Sequence, residues 1–463
     1  MRDLAFVGFL ALMFLFGFKR PFLFVLTYAY IDIVAPQRLT YLLLNSVPIS
    51  LIAVMLAVLG WLVADDKGDA RFAPRQALIF LLLIYCGITT TTADFEASAL
   101  EKWAWVWKSL AFAIFLPLTL RTRLRIESLA LFMVLSAATI IIVGGIKTLA
   151  SGGGYGVLNL MVTNNTGLYE SSIISTVAIA IIPLILFLQK HGTIYPPEWR
   201  VSIFAYALIF ASLLIPIGTE ARTGLVCIAV LAVLMLRSAK RRFTYLFLAL
   251  ALGAAAIPFL PQSFTARMDT IKNHKADQSA GTRLAVWAWT WDYAKDHPFG
   301  GGFDAYRGNK LRIEKTQVED NGSTETIEKQ VVEDQSRAYH SSYFEMLGEQ
   351  GYPGLLLWLS IHIIGIVRME FIRRAWRKRD PEDGQWIGAM AEALQHGHII
   401  YMVGAAFVGI AFQPFVYMLV GLQIGLDTYA RRRDAEARWS PLVQKHKDEA
   451  EADPLRKARP AWT

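Results

Sequence analysis

Residues 127–149, ESLALFMVLSAATIIIVGGIKTL, form an apolar run that carries one acid at its start and one lysine near its end. A helix of about 20 apolar residues, rising about 1.5 Å per residue, crosses the hydrocarbon core of a bilayer. Similar runs recur along nearly the whole chain, and 54% of the 463 residues are hydrophobic whereas only 18% are charged. This pattern predicts an all-α polytopic membrane protein.

The apolar runs predict about twelve transmembrane helices. The count is open at both ends of the chain, because the first two runs are short and the last two meet at Gln413-Pro414. Lys19-Arg20-Pro21 follows the first run without a small-residue cleavage site, so we expect no cleavable signal peptide. The runs lie near residues 4–18, 21–34, 40–63, 76–92, 103–120, 127–149, 171–189, 201–217, 223–236, 243–260, 341–367, 386–411 and 414–430.

The basic residues are distributed unevenly between alternate loops. Clusters lie at 19–20, 121–125, 237–242, 368–379 and 431–433, whereas the intervening short loops carry the single cations Arg38, Lys102 and Arg222. The positive-inside rule places the clusters in the cytoplasm and the other loops on the opposite, outward side of the membrane. Since the cations follow loops and form no continuous basic face, the net charge of +8 does not indicate a nucleic-acid partner.

A long polar stretch from Gln262 to His340 separates the apolar runs into two groups. A loop of that length between spans is usually functional. We therefore predict an N-terminal transmembrane bundle over 1–261, an outward-facing loop domain with short helices over 262–340 (periplasmic if the protein is bacterial), C-terminal transmembrane helices over 341–430 and a basic cytoplasmic tail over 431–463. Cys86 and Cys227 both fall inside apolar runs and are predicted to be packing residues.

Two arginines on the predicted outward side are candidate anion ligands. Arg222 lies between two spans, where it either snorkels to the membrane surface or binds an anion, with Glu220 orienting it. Arg283 is near the start of a predicted helix whose apolar residues 284, 287, 288 and 291 share one stripe, and which ends by His297-Pro298. A cation at a helix start is not stabilised by the helix dipole. Arg283 is therefore either a solvated surface residue or a phosphate ligand.

His340 is the strongest single candidate for catalysis. It is one of eight histidines, and it opens a span at the mouth of the outward face. A neutral imidazole there can accept a proton from a hydroxyl near pH 7. The alternative is a histidine without a catalytic role. We interpret His396 and His398, in the penultimate span, as packed or hydrogen-bonded helix residues.

The chain offers no sequence pattern for a metal or a cofactor. No His-x-x-x-His or Asp-x-Asp pattern occurs in the outward loop, and residues 314–334 are predicted to be a flexible flap. The glycine-rich segment 152–156 lacks the Gly-Lys-Ser/Thr ending of a nucleotide-binding loop, so it is either a hinge or a lid beside the substrate, as is Asn164-Asn165 after it. We therefore expect a reaction without metal or cofactor.

Taken together, these segments resemble the O-antigen ligase family of bacterial membrane glycosyltransferases. The matching stretches are 219–224 (TEARTG), 281–287 (GTRLAVW), 297–303 (HPFGGGF) and 340–345 (HSSYFE), continued by 348–354 (GEQGYPG). Where the family usually has His-Asn, this chain has His340-Ser341. In the N-terminal half, the stretches 19–21 (KRP), 35–39 (APQRL) and 152–155 (GGGY) resemble the exosortase-associated O-glycosylation ligases.

The resemblance implies a C-type glycosyltransferase fold and a reaction. The family transfers a glycan from undecaprenyl diphosphate to an acceptor hydroxyl on the periplasmic side, with lipid A-core as the acceptor in a ligase. His340 would then be the base, and Arg222 and Arg283 would bind the diphosphate. Guanidinium groups suit phosphate oxygens because they donate paired hydrogen bonds.

Three other functions remain open from the sequence. An O-antigen polymerase would use the same donor with a lipid-linked glycan as the acceptor, and a protein O-oligosaccharyltransferase would use a pilin. A flippase would transport the lipid-linked glycan, and charged residues in mid-span would favour it. Asp32 is the one clear acid of the early spans, and it lies near a span end.

Overall fold

A computed structural model describes residues 2–438 except 41–42, 45–46, 69, 152–167, 239–240, 257, 259, 261–263, 266–277, 321–324, 378 and 380. Most of the described chain is helical. The helices before the polar stretch are α1 (Arg2–Lys19), α2 (Phe22–Val34), α3 (Pro36–Leu39), α4 (Ile49–Ala64), α5 (Pro74–Thr91), α6 (Glu96–Thr119), α7 (Arg123–Ser151), α8 (Ser171–Ala180), α9 (Ile182–His191), α10 (Trp199–Gly218), α11 (Arg222–Ser238) and α12 (Arg242–Ala256). The later elements are α13 (Gln278–Asp296), a 3₁₀ turn (Ala305–Gly308), β1 (Lys310–Asp320), β2 (Glu325–Gln335), α14 (Ser342–Trp376), α15 (Pro381–Ala405) and α16 (Pro414–Arg438).

Five helical stretches of the described chain are long and apolar enough to cross a membrane, by length and composition. The stretch that contains α8 and α9 counts as one span, although Pro183 marks a break between the two helices. The five stretches are Pro74–Thr91, Arg123–Ala150, Ser171–His191, Trp199–Gly218 and Ser342–Trp376, and the shorter apolar helices are Phe22–Val34 and Ile49–Ala64. The chain is thus a multi-pass membrane protein, and the number of twelve spans stays a prediction.

The core of the bundle lies around α16. Residues 414–426 of this helix are buried on every side, which is the pattern of a helix surrounded by others. By contrast, α10 exposes much of its apolar surface, including Phe204 and Phe210, as expected where a helix faces lipid. The span predicted over 386–411 is helical only to Ala405, and the segment 406–413 that follows is not a helix.

The basic clusters of the sequence converge on one end of the bundle, which we call the basic end. The cluster at 19–20 reaches it because Pro21 packs against Gly60 of α4, near the end of that helix. Ion pairs connect the other clusters to neighbouring helices: Arg125 with Asp65, Arg237 with Glu370, Arg368 with Asp427 and Arg379 with Asp434. His340 and the start of α14 lie at the opposite end, because α14 runs from there toward Glu370.

The polar stretch contains a helix and a hairpin. α13 ends at Asp296, as the sequence predicted from His297-Pro298. β1 and β2 pair antiparallel, with Lys310 opposite Gln335. The sequence predicts short helices and a flexible flap here, so the all-α description is incomplete. Charge-rich strands without regular apolar alternation give no clear strand signal in sequence.

Four polar side chains form a hydrogen-bonded series inside the bundle. Arg75 donates to Gln423 Oε1 over 3.2 Å, and Gln423 Nε2 donates to His398 Nδ1 over 2.9 Å. His398 Nε2 lies 2.8 Å from His362 Nδ1 and therefore carries the proton of that bond. His398 is thus a hydrogen-bonded core residue, in agreement with its interpretation from sequence.

Candidate functional site

A cleft of about 280 Å³ opens at the end of the bundle opposite the basic end. It lies between the start of α6, the chain around the 3₁₀ turn, the start of α14 and the segment 406–413. Its side chains include acids, cations, aromatic rings and one histidine. They are Glu101, Lys102, Trp105, Glu170, Asp304, Tyr306, Arg307, Tyr339, His340, Glu345, Glu349, Phe412 and Gln413.

His340 stands at the rim of this cleft on a strained backbone. Its φ is +48°, in the left-handed region that residues other than glycine seldom adopt. The residue is exposed, and α14 begins two positions later at Ser342. Such strain costs roughly 1–3 kcal/mol and is concentrated at functional sites. The backbone at this position therefore turns the imidazole toward the cleft mouth at a cost in stability.

The pKa of the His340 imidazole is lowered from its usual value. The largest cause is partial burial at the rim of the cleft, and the positive charges of Arg283 and Arg337 add to it. Both causes disfavour the imidazolium. His340 is consequently neutral, and able to accept a proton, to a lower pH than an isolated histidine.

Arg283 approaches His340 because α13 packs against the start of α14. One turn after Arg283, the Trp287 indole stacks on Phe344 with ring centroids 5.0 Å apart. Trp287 Nε1 also donates to the Tyr339 carbonyl over 2.8 Å. These contacts hold the first turns of α13 beside the backbone that carries His340.

The buried face of α13 differs from the apolar stripe seen in the sequence. Val286, Thr290 and Ala294 are buried, whereas Leu284 and Trp291 of the predicted stripe are 62% and 53% exposed. Of the four residues of the predicted stripe, Trp287 packs on α14, whereas Leu284, Ala288 and Trp291 are exposed. An exposed apolar face with a tryptophan is typical of a helix at a membrane interface.

Arg222 lies at the same end of the bundle as the cleft. Below it on α11, the Cys227 thiol contacts the Ile400 carbonyl of α15 at 3.8 Å, and α11 continues to Arg237 at the basic end. Arg222, at the other end of α11, is therefore near the level of the last turn of α15. Neither Arg222 nor Arg283 is among the described residues that line the cleft. Their convergence on one phosphate stays a prediction.

The turn that carries Arg222 is built by its motif. The Thr219 hydroxyl hydrogen-bonds to the Ser175 hydroxyl at 2.9 Å, and Glu220 has a φ of +52°. A Cβ on Gly224 would lie 2.5 Å from the Pro216 ring, so glycine lets α11 start directly against the end of α10. This close approach fixes the position of Arg222 without a loop.

The glycine motif 300–302 packs backbone to backbone on a break in α14. Gly301 N–H donates to the Gly348 carbonyl over 3.1 Å, and Gly302 N–H donates to the Glu349 carbonyl over 2.9 Å. α14 is interrupted at Gly351, with φ +62° and ψ −166°, and a Cβ there would lie 2.3 Å from the Pro298 carbonyl oxygen. The stretches 297–303 and 348–354 thus form one structural unit beneath the cleft.

Lys102 is the principal residue of the site that sequence reasoning missed. Its ammonium lies 2.7 Å from Glu345 Oε1, 2.8 Å from Glu349 Oε1 and 3.9 Å from Asp304 Oδ1. Glu349 is fully buried, and its Oε1 also accepts the Asp304 N–H over 3.0 Å. Burial raises the pKa of Asp304, against the pull of Lys102 and Arg307. We call Lys102, Asp304, Glu345 and Glu349 the floor cluster.

A sequence signal for the floor cluster existed. Glu345 and Glu349 are four residues apart and share one face of α14, whereas Lys102 stands in the sequence only as a single cation of a short loop. Glu345 Oε2 further accepts the Ala411 N–H over 3.1 Å. Ser342 Oγ accepts the Ile410 N–H over 2.8 Å, so α14 also holds the segment 406–413.

The described residues offer no group of three or more His, Cys, Asp and Glu side chains that could hold a metal ion. The three carboxyl groups of the floor cluster converge on an ammonium instead. The glycine-rich segment 152–156 and Asn164-Asn165 lie outside the described residues.

Two family models match the chain. Residues 1–193 match a family of unknown function (DUF5935), and residues 207–359 match the O-antigen ligase family, whose members are glycosyltransferase-like enzymes. No curated protein matches the chain significantly. The ligase match contains Arg222, Arg283 and His340, whereas Lys102 belongs to the first match. Over residues 207–359 the chain is thus similar to the O-antigen ligase family.

Proposed function

We propose that this protein is an O-antigen ligase: it transfers a glycan from undecaprenyl diphosphate to an acceptor hydroxyl on the periplasmic face of the bacterial inner membrane, with lipid A-core as the first candidate acceptor. The observation that carries the proposal is His340. It stands on a strained backbone at the rim of a cleft, the pKa of its imidazole is lowered by its surroundings, and it lies within the segment that matches the ligase family.

The proposed reaction is a single inverting displacement. A nitrogen of the His340 imidazole takes the proton of the acceptor hydroxyl. The acceptor oxygen forms a bond to the anomeric carbon, and the bond from that carbon to the diphosphate oxygen breaks. Undecaprenyl diphosphate leaves with the electron pair, and the proton on His340 passes to solvent. Attack from the face opposite the leaving group inverts the anomeric carbon.

In this proposal Arg222 and Arg283 bind the diphosphate. Fixed guanidinium groups stabilise the charge that develops on the leaving oxygen, which is a role that a metal ion takes in other enzymes. The charge of Arg283 acts on His340, so a donor phosphate near Arg283 would be beside the base. We propose that the reaction needs no divalent cation.

The direct test incubates the purified full chain in nanodiscs with an undecaprenyl-diphosphate-linked glycan and lipid A-core, without ATP and with EDTA. We expect a glycan conjugate of inverted anomeric configuration. Activity that disappears in EDTA and returns with magnesium would refute the metal-independent step. A retained configuration would exclude direct displacement.

Parallel incubations separate the remaining functions. Transfer to a second lipid-linked glycan, and not to lipid A-core, would identify a polymerase, and transfer to a pilin would identify a protein oligosaccharyltransferase. Movement of the donor between leaflets without any conjugate would identify a flippase. These outcomes differ in product, so one mass-spectrometric analysis distinguishes them.

A further inference from the structure

We propose that a second cavity, near the basic end of the bundle, binds an acyl chain of an anionic phospholipid. The cavity is a groove of about 370 Å³ between α7, α9 and α10, and we call it the side groove. Its lining includes Leu131 and Leu135 of α7, Leu188 of α9, and Phe204 and Leu208 of α10. It shares no lining residue with the cleft, so the inference is independent of the proposed transfer reaction.

The side groove is apolar over most of its length. Its lining on α10 extends from Arg200 to Leu208, eight positions that correspond to about 12 Å at about 1.5 Å per residue. The polar lining residues Glu127, Gln189 and Arg200 lie within the first or last two turns of their helices, at the basic end. A narrow apolar groove with polar groups at one end matches the shape of a lipid chain below its headgroup.

The side groove opens on the lipid-facing surface of α10. Phe204 lines the groove and is also half exposed, and the neighbouring Ile203 is exposed on the same helix. Both belong to the apolar surface by which α10 faces lipid. The groove is therefore continuous with the surrounding hydrocarbon, and a lipid chain can enter it from the side.

The rim of the side groove carries cations. Arg200 lines the groove, and Lys190 is exposed in the last turn of α9; neither forms a salt bridge within the described part of the chain. Lys190 and Arg123 both act electrostatically on the His191 ring, which places these two cations beside the same rim. Lysine and arginine at the membrane surface attract anionic headgroups. The rim is therefore suited to a lipid phosphate.

The two acids near the rim leave it positive. Glu127 is fully buried, and its carboxylate accepts the Ile194 N–H over 2.8 Å and the Thr193 hydroxyl over 2.7 Å. These bonds hold the turn between α9 and α10 and direct the carboxylate to protein donors. Glu198 is the other acid, and it is exposed. Three cations therefore stand against two acids, one of which is already engaged.

Aromatic residues and charge favour a phospholipid over a second copy of the chain. Trp199 and Tyr195 are exposed beside the rim, and the Arg200 guanidinium lies 5.4 Å from the centre of the Trp199 ring. Tryptophan and tyrosine favour the level of the lipid headgroups, where basic pockets between transmembrane helices bind anionic lipids. A second copy of the chain would bring an identical basic rim against this one, and the like charges would repel.

Native mass spectrometry of the purified, delipidated full chain in detergent tests the assignment. The protein is titrated with phosphatidylglycerol or phosphatidylcholine of the same acyl chains, and with glycerol 1-phosphate as a headgroup without a chain. We expect the first phosphatidylglycerol to bind about fivefold or more tightly than phosphatidylcholine, since each Lys or Arg near the surface contributes about 1 kcal/mol. Glycerol 1-phosphate should not displace it. Equal binding of the two lipids, or displacement by glycerol 1-phosphate, would overturn the proposal.

Two variants locate the binding in the side groove. Arg200→Gln should lower the preference for phosphatidylglycerol about fivefold, which is the contribution of one cation. Leu135→Trp places an indole in the groove and should weaken binding of the first lipid at least tenfold. Because Arg200 is exposed, Arg200→Gln reports on the site even where the tryptophan variant is unstable. Unchanged binding in either folded variant would contradict the assignment.

The matched controls change the same properties elsewhere. Lys19→Gln removes an exposed cation at the basic end, and Ile203→Trp adds an indole to the exposed surface of α10 outside the groove lining. Both should bind phosphatidylglycerol as the parent protein does. If either control weakens binding as much as the groove variants do, the lipid binds the general surface of the bundle, and the side groove is not its site.

Discussion

At the scale of single residues, His340, the proposed base, has a backbone conformation that few residues other than glycine adopt. Its φ of +48° suits asparagine better than alanine, because asparagine tolerates the left-handed region. Variants at this position therefore differ in strain as well as in chemistry. The most informative variant is one that removes the imidazole and still tolerates the left-handed backbone conformation.

We predict that His340→Asn folds, binds the lipid-linked donor and loses transfer activity by about 10²–10⁴-fold, which is the usual contribution of a general base. The measurement is single-turnover transfer with the donor bound beforehand, alongside the thermal unfolding midpoint. His340→Ala should lose as much activity and unfold at a lower temperature. A normal single-turnover rate in His340→Asn would remove the base assignment.

The two arginines should differ in their effect on pH dependence. The pKa of His340 is lowered in part by the positive charge of Arg283. Removing that charge in Arg283→Gln raises the pKa of His340, so the acid limb of the rate profile moves to higher pH. Arg222→Gln should reduce transfer without moving the acid limb, and it serves as the matched comparison. Single-turnover rates between pH 4.5 and 8 measure the position of the acid limb in both variants.

Lysine should replace either arginine poorly, because it lacks the planar pair of donors that phosphate oxygens accept. An Arg283→Gln variant with full activity and an unchanged acid limb would mean that Arg283 is a solvated surface residue. Full activity in Arg222→Gln would in the same way leave Arg222 as a cation that snorkels to the membrane surface.

At the scale of elements, the floor cluster connects α6 to α14. Lys102 and Glu349 are 247 residues apart in the chain, and they belong to the two segments matched by different families. The lysine side chain is 13% exposed, and Glu349 is fully buried. The ammonium therefore compensates buried carboxyl groups that would otherwise repel each other, and it keeps the cleft floor together.

We predict that Lys102→Met destabilises the protein by about 3–5 kcal/mol, because it leaves buried acids without their counter-charge. The double variant Lys102→Met with Glu349→Gln should recover part of that loss, since it removes one of the stranded charges. Thermal unfolding in detergent measures both. Glu101→Gln, on the neighbouring exposed residue, should leave the unfolding midpoint unchanged. A Lys102→Met protein as stable as the parent would show that the floor cluster contributes nothing to the fold.

At the scale of the whole molecule, the bundle has a basic end and a cleft end. Ion pairs such as Arg125 with Asp65 and Arg237 with Glu370 lie at the basic end, and the cleft with His340 lies at the other. The positive-inside rule then predicts that the cleft faces the periplasm. This orientation is required by the proposed reaction, because the donor glycan is presented there.

We predict that an impermeant thiol reagent labels Ser336→Cys in intact cells and does not label Arg374→Cys until the membrane is opened. Both native cysteines, Cys86 and Cys227, are buried, so the parent protein is an unlabelled background. Ser336 and Arg374 are both exposed, which makes the two sites comparable. Labelling of Arg374→Cys alone in intact cells would reverse the orientation and exclude the periplasmic reaction.

The sequence by itself determined the class of this protein and the order of its site motifs. Hydropathy is a local property, so runs such as 127–149 identify a polytopic membrane protein before any contact is known. The end of α13 before His297-Pro298 was equally local, because proline and the residue before it disfavour a helix. The one-sided distribution of arginine and lysine was visible in the chain, and the structure brings those clusters to one end.

Only the tertiary structure decided how the site is assembled. No local pattern connects Lys102 to Glu345 and Glu349, because contacts between residues more than 240 positions apart depend on how helices pack. The need for glycine in 297–303 is visible only in the structure. There this stretch packs against the break of α14 at Gly351, and the two backbones approach too closely for any side chain. The paired strands β1 and β2 lacked the alternation that would predict them. Periodicity in sequence encodes which face of an element is apolar, whereas the partners of a buried charge are set by packing.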